Sequence, residues 1–140
     1  MDVDRVFRGM QPGDFRRLFE VWGGAAKFTS DGKPVINARS GKVRFVVRFK
    51  IPCPEPFTRF EVVTLEAPMK VRGTPAVGPA NEINSQLTSG RAWAPTSDQI
   101  ILSVDLIVGG GVAADNLHRQ VLDGVEQVRR MIQGKPASSR

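Results

Sequence analysis

KVRFVVRFKI, residues 42 to 51, alternates with a period of two. Val43, Phe45, Val47, Phe49 and Ile51 point one way. Lys42, Arg44, Val46, Arg48 and Lys50 point the other. Such alternation describes a strand with one face on the core and one on water, the pattern of an antiparallel sheet covered on one side.

The flanking segments extend that sheet. Ala25 to Thr29 reads as a short strand, Ser30-Asp31-Gly32-Lys33 as a hairpin turn, and Pro34 to Ala38 as the return. Ser40-Gly41 turns again into residues 42–51. PCPEP, residues 52 to 56, is a stiff extended connection with few amide donors. Phe57 to Ala67 makes the next strand, and Pro68 is expected to end it. Arg91 to Ala94 and Gln99 to Val108 form a last hairpin, turned at Pro95-Thr96-Ser97-Asp98.

Three helices complete the pattern. Pro12-Gly13-Asp14 opens the first, whose Phe15, Leu18, Phe19 and Trp22 share a face before Gly23-Gly24 ends it. The second runs from about Ala76 to Thr88, with Val77, Ala80, Ile83, Asn84 and Leu87 on one side. The third spans Val112 to Ile132, with Leu117, Val121, Val125, Val128 and Ile132 as its buried stripe. Grouped strands with few crossovers argue an α+β domain, a mainly antiparallel twisted sheet with helices packed on one face. Residues 1–133 read as a single domain and residues 134–140 as a flexible C-terminal tail.

Composition narrows the function classes. A chain of 140 residues, 41% hydrophobic and 24% charged, is long enough to bury a sizeable core. The single Cys53 excludes an internal disulfide framework, and the sequence has no histidine or cysteine cluster for zinc. MDVDRVFRGM is too charged for a secretory signal, and the longest apolar stretch, Ile100 to Ala114, is too short and polar to span a bilayer. A cytoplasmic location without membrane contact is the expectation. Residues 27 to 50 carry Lys27, Lys33, Arg39, Lys42, Arg44, Arg48 and Lys50 against Asp31, which accounts for the whole net charge of +6.

Candidate chemistry is sparse. Gly109-Gly110-Gly111 stands between a strand and a helix, where a phosphate cradle would stand. No Lys or Ser/Thr follows the glycines and the GxGxxG spacing is absent, while Asp115 in the first helical turn suits the dipole but repels phosphate. A permissive corner is the better reading, in which Gly110 and Gly111 are structural. His118 has no triad partner and Cys53 no group that would activate its thiol. Asp98, Asp105, Asp115 and Asp123 lack metal-loop spacing. No catalytic residue, cofactor site or metal site is expected. Asn81 and Asn84 lie three apart on the second helix, and Asn84, on the apolar stripe, is expected to be buried and bonded to the backbone of a loop or strand.

The basic face of Lys42, Arg44, Arg48 and Lys50 is the most informative surface. It is a solvated strand face with Glu61 or Glu66 as cross-strand partners, a surface for an acidic protein, or a footprint for nucleic acid or another polyanion. No aromatic side chain alternates with these bases, so the stacking platform of sheet-type RNA binders is missing.

Over residues 81 to 117 the sequence resembles the YbjN-like family of bacterial proteins, and more loosely before that, in its opening helix, a strand, the Asp31-Gly32 turn and the long strands, so that the likeness covers nearly the whole domain. A helix ending in paired asparagines (Asn81, Asn84), a glycine-led hairpin (Gly90, Arg91, Ala92), a strand ending in Asp105-Leu106, then Gly110-Gly111-Val112 and a helix opening on Asn116-Leu117 carry the likeness. Ala113 and Ala114 stand where a Thr or Ser cap is usual, and Asp98-Gln99 where Asp-Gly is commoner. The resemblance implies a fold similar to type III secretion chaperones and a class, the sensory transduction regulators, without catalytic residues to carry over. It points to a non-enzymatic protein-binding regulatory or chaperone-like module. The partner would be an unidentified protein, with a homodimer as an open option and nucleic acid as the alternative.

Overall fold

The structure, a computed structural model, describes residues 6–54, 59–85 and 90–132. Its elements are β1 (Val6–Phe7), α1 (Pro12–Val21), β2 (Ala25–Phe28), β3 (Val35–Ser40), β4 (Val43–Pro52), β5 (Phe60–Lys70), α2 (Val77–Asn84), β6 (Arg91–Thr96), β7 (Gln99–Ile107), β8 (Val112–Ala113) and α3 (Ala114–Ile132). Six strands form one antiparallel sheet in the order β2-β3-β4-β5-β7-β6, and β1 pairs with β8 in a separate two-stranded ladder. The fold is α+β.

One face of the sheet is the core. Val43, Phe45, Val47 and Phe49 of β4 are buried, and so are Leu65 of β5 and Val104 of β7 in the Val47 row. Helix α1 opens on Pro12, whose missing N–H costs nothing in a first turn. It sets Phe15 edge-on to Phe49 at 5.9 Å and Phe19 edge-on to Phe45 at 5.6 Å. Helix α3 buries Leu117, Val121 and Val128. It approaches the sheet closely at Gly124, where a Cβ would stand 2.9 Å from Leu65 Cδ1. Val125 is half-buried rather than central to the stripe.

Several boundaries differ from expectation for physical reasons. Pro68 does not end β5, which continues to Lys70 paired with β7. The β4–β5 ladder instead stops at Val46↔Glu66. Pro68 has no N–H to carry that ladder further, while its pairing to Ile101 on the other side persists. Strand β6 runs through Pro95 because it is an edge strand, with a register irregularity between Trp93 and Thr96. Ile51 does not join the core face of β4. It has φ 58° and is 57% exposed, in the sharp bend that leads through Pro52 to the buried Cys53. Val112 and Ala113 pair with β1 before α3 begins, an element too short to announce itself. The expected ends at Phe57 and Thr88, the side chains of Leu87 and Ile132, and the tail 134–140 lie outside the described residues.

Candidate functional site: the open basic face of the sheet

Three amides at the glycine corner bond within the chain. Val108 and Gly109 both donate to the Glu61 carbonyl, at 2.8 and 3.0 Å, and Gly111 donates to the Val108 carbonyl at 2.9 Å. These donors are therefore committed inside the chain and not aimed at an anion. Gly111 has φ 95°, a left-handed conformation that favours glycine. A Cβ on Gly109 would lie 2.9 Å from that of Glu61. Gly110 has open space around it. The strand before the corner is antiparallel to both neighbours, so no parallel crossover unit stands behind it.

The asparagines separate in role. Asn84 is exposed at the end of α2, yet its amide clasps Ala92 of β6. Asn84 Nδ2 donates to the Ala92 carbonyl at 2.5 Å, and the Ala92 amide donates to Asn84 Oδ1 at 2.6 Å. Asn81 is exposed and supplies its backbone carbonyl to the Ser85 amide at 3.1 Å. His118 is half-buried and stacks on Trp22 at 4.5 Å, nearly parallel. Cys53 is buried. Among the described residues no group of three or more His, Cys, Asp or Glu could hold a metal ion. No helix among them is long and apolar enough to cross a membrane.

Away from the helices, the outer face of the sheet carries the charge. Alternation sends Arg44, Arg48 and Lys50 of β4 outward, all exposed, whereas Lys42 sits in the β3–β4 turn rather than on the strand. The four cations do not behave alike. Arg48 Nε donates to Glu66 Oε1 of β5, a diagonal cross-strand ion pair. Glu61, the other candidate partner, forms no ion pair among the described residues, and it is its backbone carbonyl that takes the Val108 and Gly109 amides. Among the described residues Arg44 forms no ion pair. Its direct cross-strand neighbour is Arg39 of β3. Lys50 lies farther along β4, opposite Val62.

An open cleft of about 1010 Å3 lies where the β4–β5 ladder stops. Lys27, Arg39, Lys42 and Arg44 line it, with Glu20 as the one acid among its lining residues. Sequence reasoning counted Lys27 and Arg39 in the basic segment but did not place them beside Arg44. The register Lys27↔Asn37 and Arg39↔Arg44 does so. Next to this basic end, Thr64 is fully buried and donates to Asp105 Oδ1 at 2.6 Å, so the middle of the outer face holds its own acids, Glu66 and Asp105.

Residues 22–133 match the sequence model of the YbjN family, described as "Putative bacterial sensory transduction regulator". The chain belongs to the YbjN family. Its fold is similar to the crystal structure of YbjN, "a putative transcription regulator from E. coli", with a TM-score of 0.68 over 89% of this chain and 90% of that one. The two share 14% sequence identity, so that likeness carries the fold. No curated protein matches the chain in sequence. The matched region takes in β2 to α3, and with them the whole basic end of the sheet.

Proposed function

We propose that this YbjN-family chain is a non-enzymatic regulatory module that works by binding an acidic protein partner on the outer face of its sheet. The observation that supports this is the Arg39↔Arg44 pair. Two guanidinium groups directly opposite on adjacent strands destabilise a sheet by mutual repulsion. No acid of the described residues forms an ion pair with either. An anionic partner would turn that cost into binding free energy and steer its own approach. A chaperone-like role, holding a segment of another protein, is the finer form of the same reading.

The test is affinity capture from a lysate of the source cells at low and moderate salt, with and without nuclease, using the native chain and an Arg39→Glu/Arg44→Glu double variant. A stoichiometric protein that survives nuclease, and that the double variant loses, is expected. Recovery of nucleic acid alone, leaving steeply as salt rises, would replace this reading with polyanion binding. A protein retained equally by the double variant would place binding elsewhere on the molecule.

A further inference from the structure

The outer face has a second property beside its charge. Following one cross-strand row, Arg39 faces Arg44, Pro68 faces Ile101, and Ile101 faces Trp93. Arg44 and Pro68 line the same cleft, on the two sides of the point where the ladder stops. The row therefore runs from a cationic end on β3 and β4 to an apolar end on β5, β7 and β6. Trp93 is 42% exposed at its far end, on the outer side of an edge strand. A single exposed apolar residue needs no explanation. A tryptophan in register with two exposed arginines is different, because Trp and Arg are the side chains that anchor protein interfaces.

From this row we infer the partner's chemistry: an extended segment laid across the strands, with carboxylates on Arg39 and Arg44 and a large apolar side chain on Trp93 and Ile101. The inference rests on the protein-binding reading and specifies it. Three strand spacings separate Arg44 from Trp93, roughly 14 Å, which an extended chain covers in about four residues. The segment thus carries its acidic pair about four residues from its apolar anchor. Each guanidinium presents a planar fork that takes a carboxylate through two hydrogen bonds.

A single-stranded nucleic acid fits this row less well. Such strands need successive rings for successive bases. Here one ring stands at the end, and Pro68 and Ile101 between it and the cations offer no π-face. Glu66 lies in the next row of the same face and Asp105 in the row beyond it. They would repel a backbone charged at every step, whereas a peptide bears acids only where they are wanted.

The probe is a fluorescein-labelled synthetic peptide with two aspartates followed about four residues later by phenylalanine, titrated into the full chain and read by anisotropy. A matched peptide has serine in place of phenylalanine. Arg44→Glu and Trp93→Ala should each weaken the phenylalanine peptide by about tenfold or more. Lys50→Glu, at the other end of the same face, should leave it unchanged. The serine peptide should bind about as weakly to the native chain as the phenylalanine peptide binds to Trp93→Ala. It should show no further loss on that variant. Trp93→Lys gives a second variant that keeps the edge strand polar, and circular dichroism verifies that each variant is folded.

Equal binding of both peptides, or no effect of either Trp93 substitution, would overturn the row and leave general charge attraction. Tighter binding of a short oligothymidine, with the same loss on Arg44→Glu and Trp93→Ala, would overturn the peptide in favour of nucleic acid. No binding of the peptide, while lysate capture remains sensitive to Arg39 and Arg44, would overturn the row and spare the protein-binding reading.

Discussion

The side chain of Asn84 satisfies both backbone groups of Ala92, one as donor and one as acceptor. It ties the end of α2 to the edge strand β6 across a short stretch of sequence, and an amide has both functions where an acid or an alkyl group does not. Asn84→Ala should cost about 1–2 kcal/mol. Asn84→Asp should cost at least as much, because it keeps the acceptor but sets a carboxylate oxygen against the Ala92 carbonyl. Urea denaturation of the two variants checks this; an Asn84→Asp chain as stable as native would show that the bond from Nδ2 to the Ala92 carbonyl contributes nothing.

Helix propensity and packing oppose each other at Gly124. Alanine is the better helix former by roughly 1 kcal/mol. Yet its Cβ would stand 2.9 Å from Leu65 Cδ1, and Leu65 is fully buried. Overpacking a tight interface commonly costs about 1–3 kcal/mol. Gly124→Ala should therefore destabilise on balance, and Gly124→Ala combined with Leu65→Val should recover part of the loss. Thermal melts of the single and double variants measure the coupling.

Gly111 and Gly110 of the corner should respond unequally. Gly111→Ala forces a Cβ into a left-handed conformation and should cost about 1 kcal/mol. Gly110→Ala meets nothing and should stay within about 0.5 kcal/mol of native. Equal losses at the two positions, by urea midpoint, would contradict the geometry of the turn.

Stability and binding should move in opposite directions at Arg39. Arg39→Glu converts a repulsive cross-strand pair into an attractive one and should stabilise by about 0.2–1 kcal/mol. The same change should weaken capture of an acidic partner. A destabilised Arg39→Glu chain would mean that the two guanidinium groups do not repel.

Among the described residues, hydrogen bonding holds the carboxyls of Glu126 and Asp31 below their ordinary range. Hydrogen bonds from Arg129, then Arg130, hold Glu126 down, and hydrogen bonds from Thr29 and the Lys33 amide hold Asp31 down. A depressed folded-state pKa contributes stability that is complete above the unfolded-state value and is lost as pH falls through the folded one. The contribution is therefore whole at neutral pH and disappears only in acid. Carbon-detected NMR titration should show both carboxyls still ionised where ordinary ones have begun to protonate, with the effect on Glu126 shrinking in high salt.

The core face was legible from the alternation of Val43, Phe45, Val47 and Phe49, which leaves one possible side for the helices. The α+β class followed from the order of the elements. The basic end of the sheet was half legible. Arg44 could be placed outward from β4 alone, but its neighbours could not, because a register shift of one residue would carry Arg39 to the other face. That register is set by the turn at Gly41 and Lys42, not by the strand pattern. Pro68 misled because a local rule ends strands at proline, whereas here the ring silences one side of β5 and leaves the other paired. The Trp93 row was invisible for the same reason as Arg39: it exists only across strands.

The β1–β8 ladder joins Val6 and Phe7 to residues just before α3, so two of the first described residues meet a point most of the chain away. A two-residue ladder with Val6 exposed at its end has few hydrogen bonds to hold it, and such a contact opens early. Beneath it, β2 to β5 are neighbours in both sequence and space and can assemble without it. The seam between β1 and β8 is thus the place for the native state to breathe. Amide exchange at Phe7 and Val112 should report that partial opening well before the six-stranded sheet lets go.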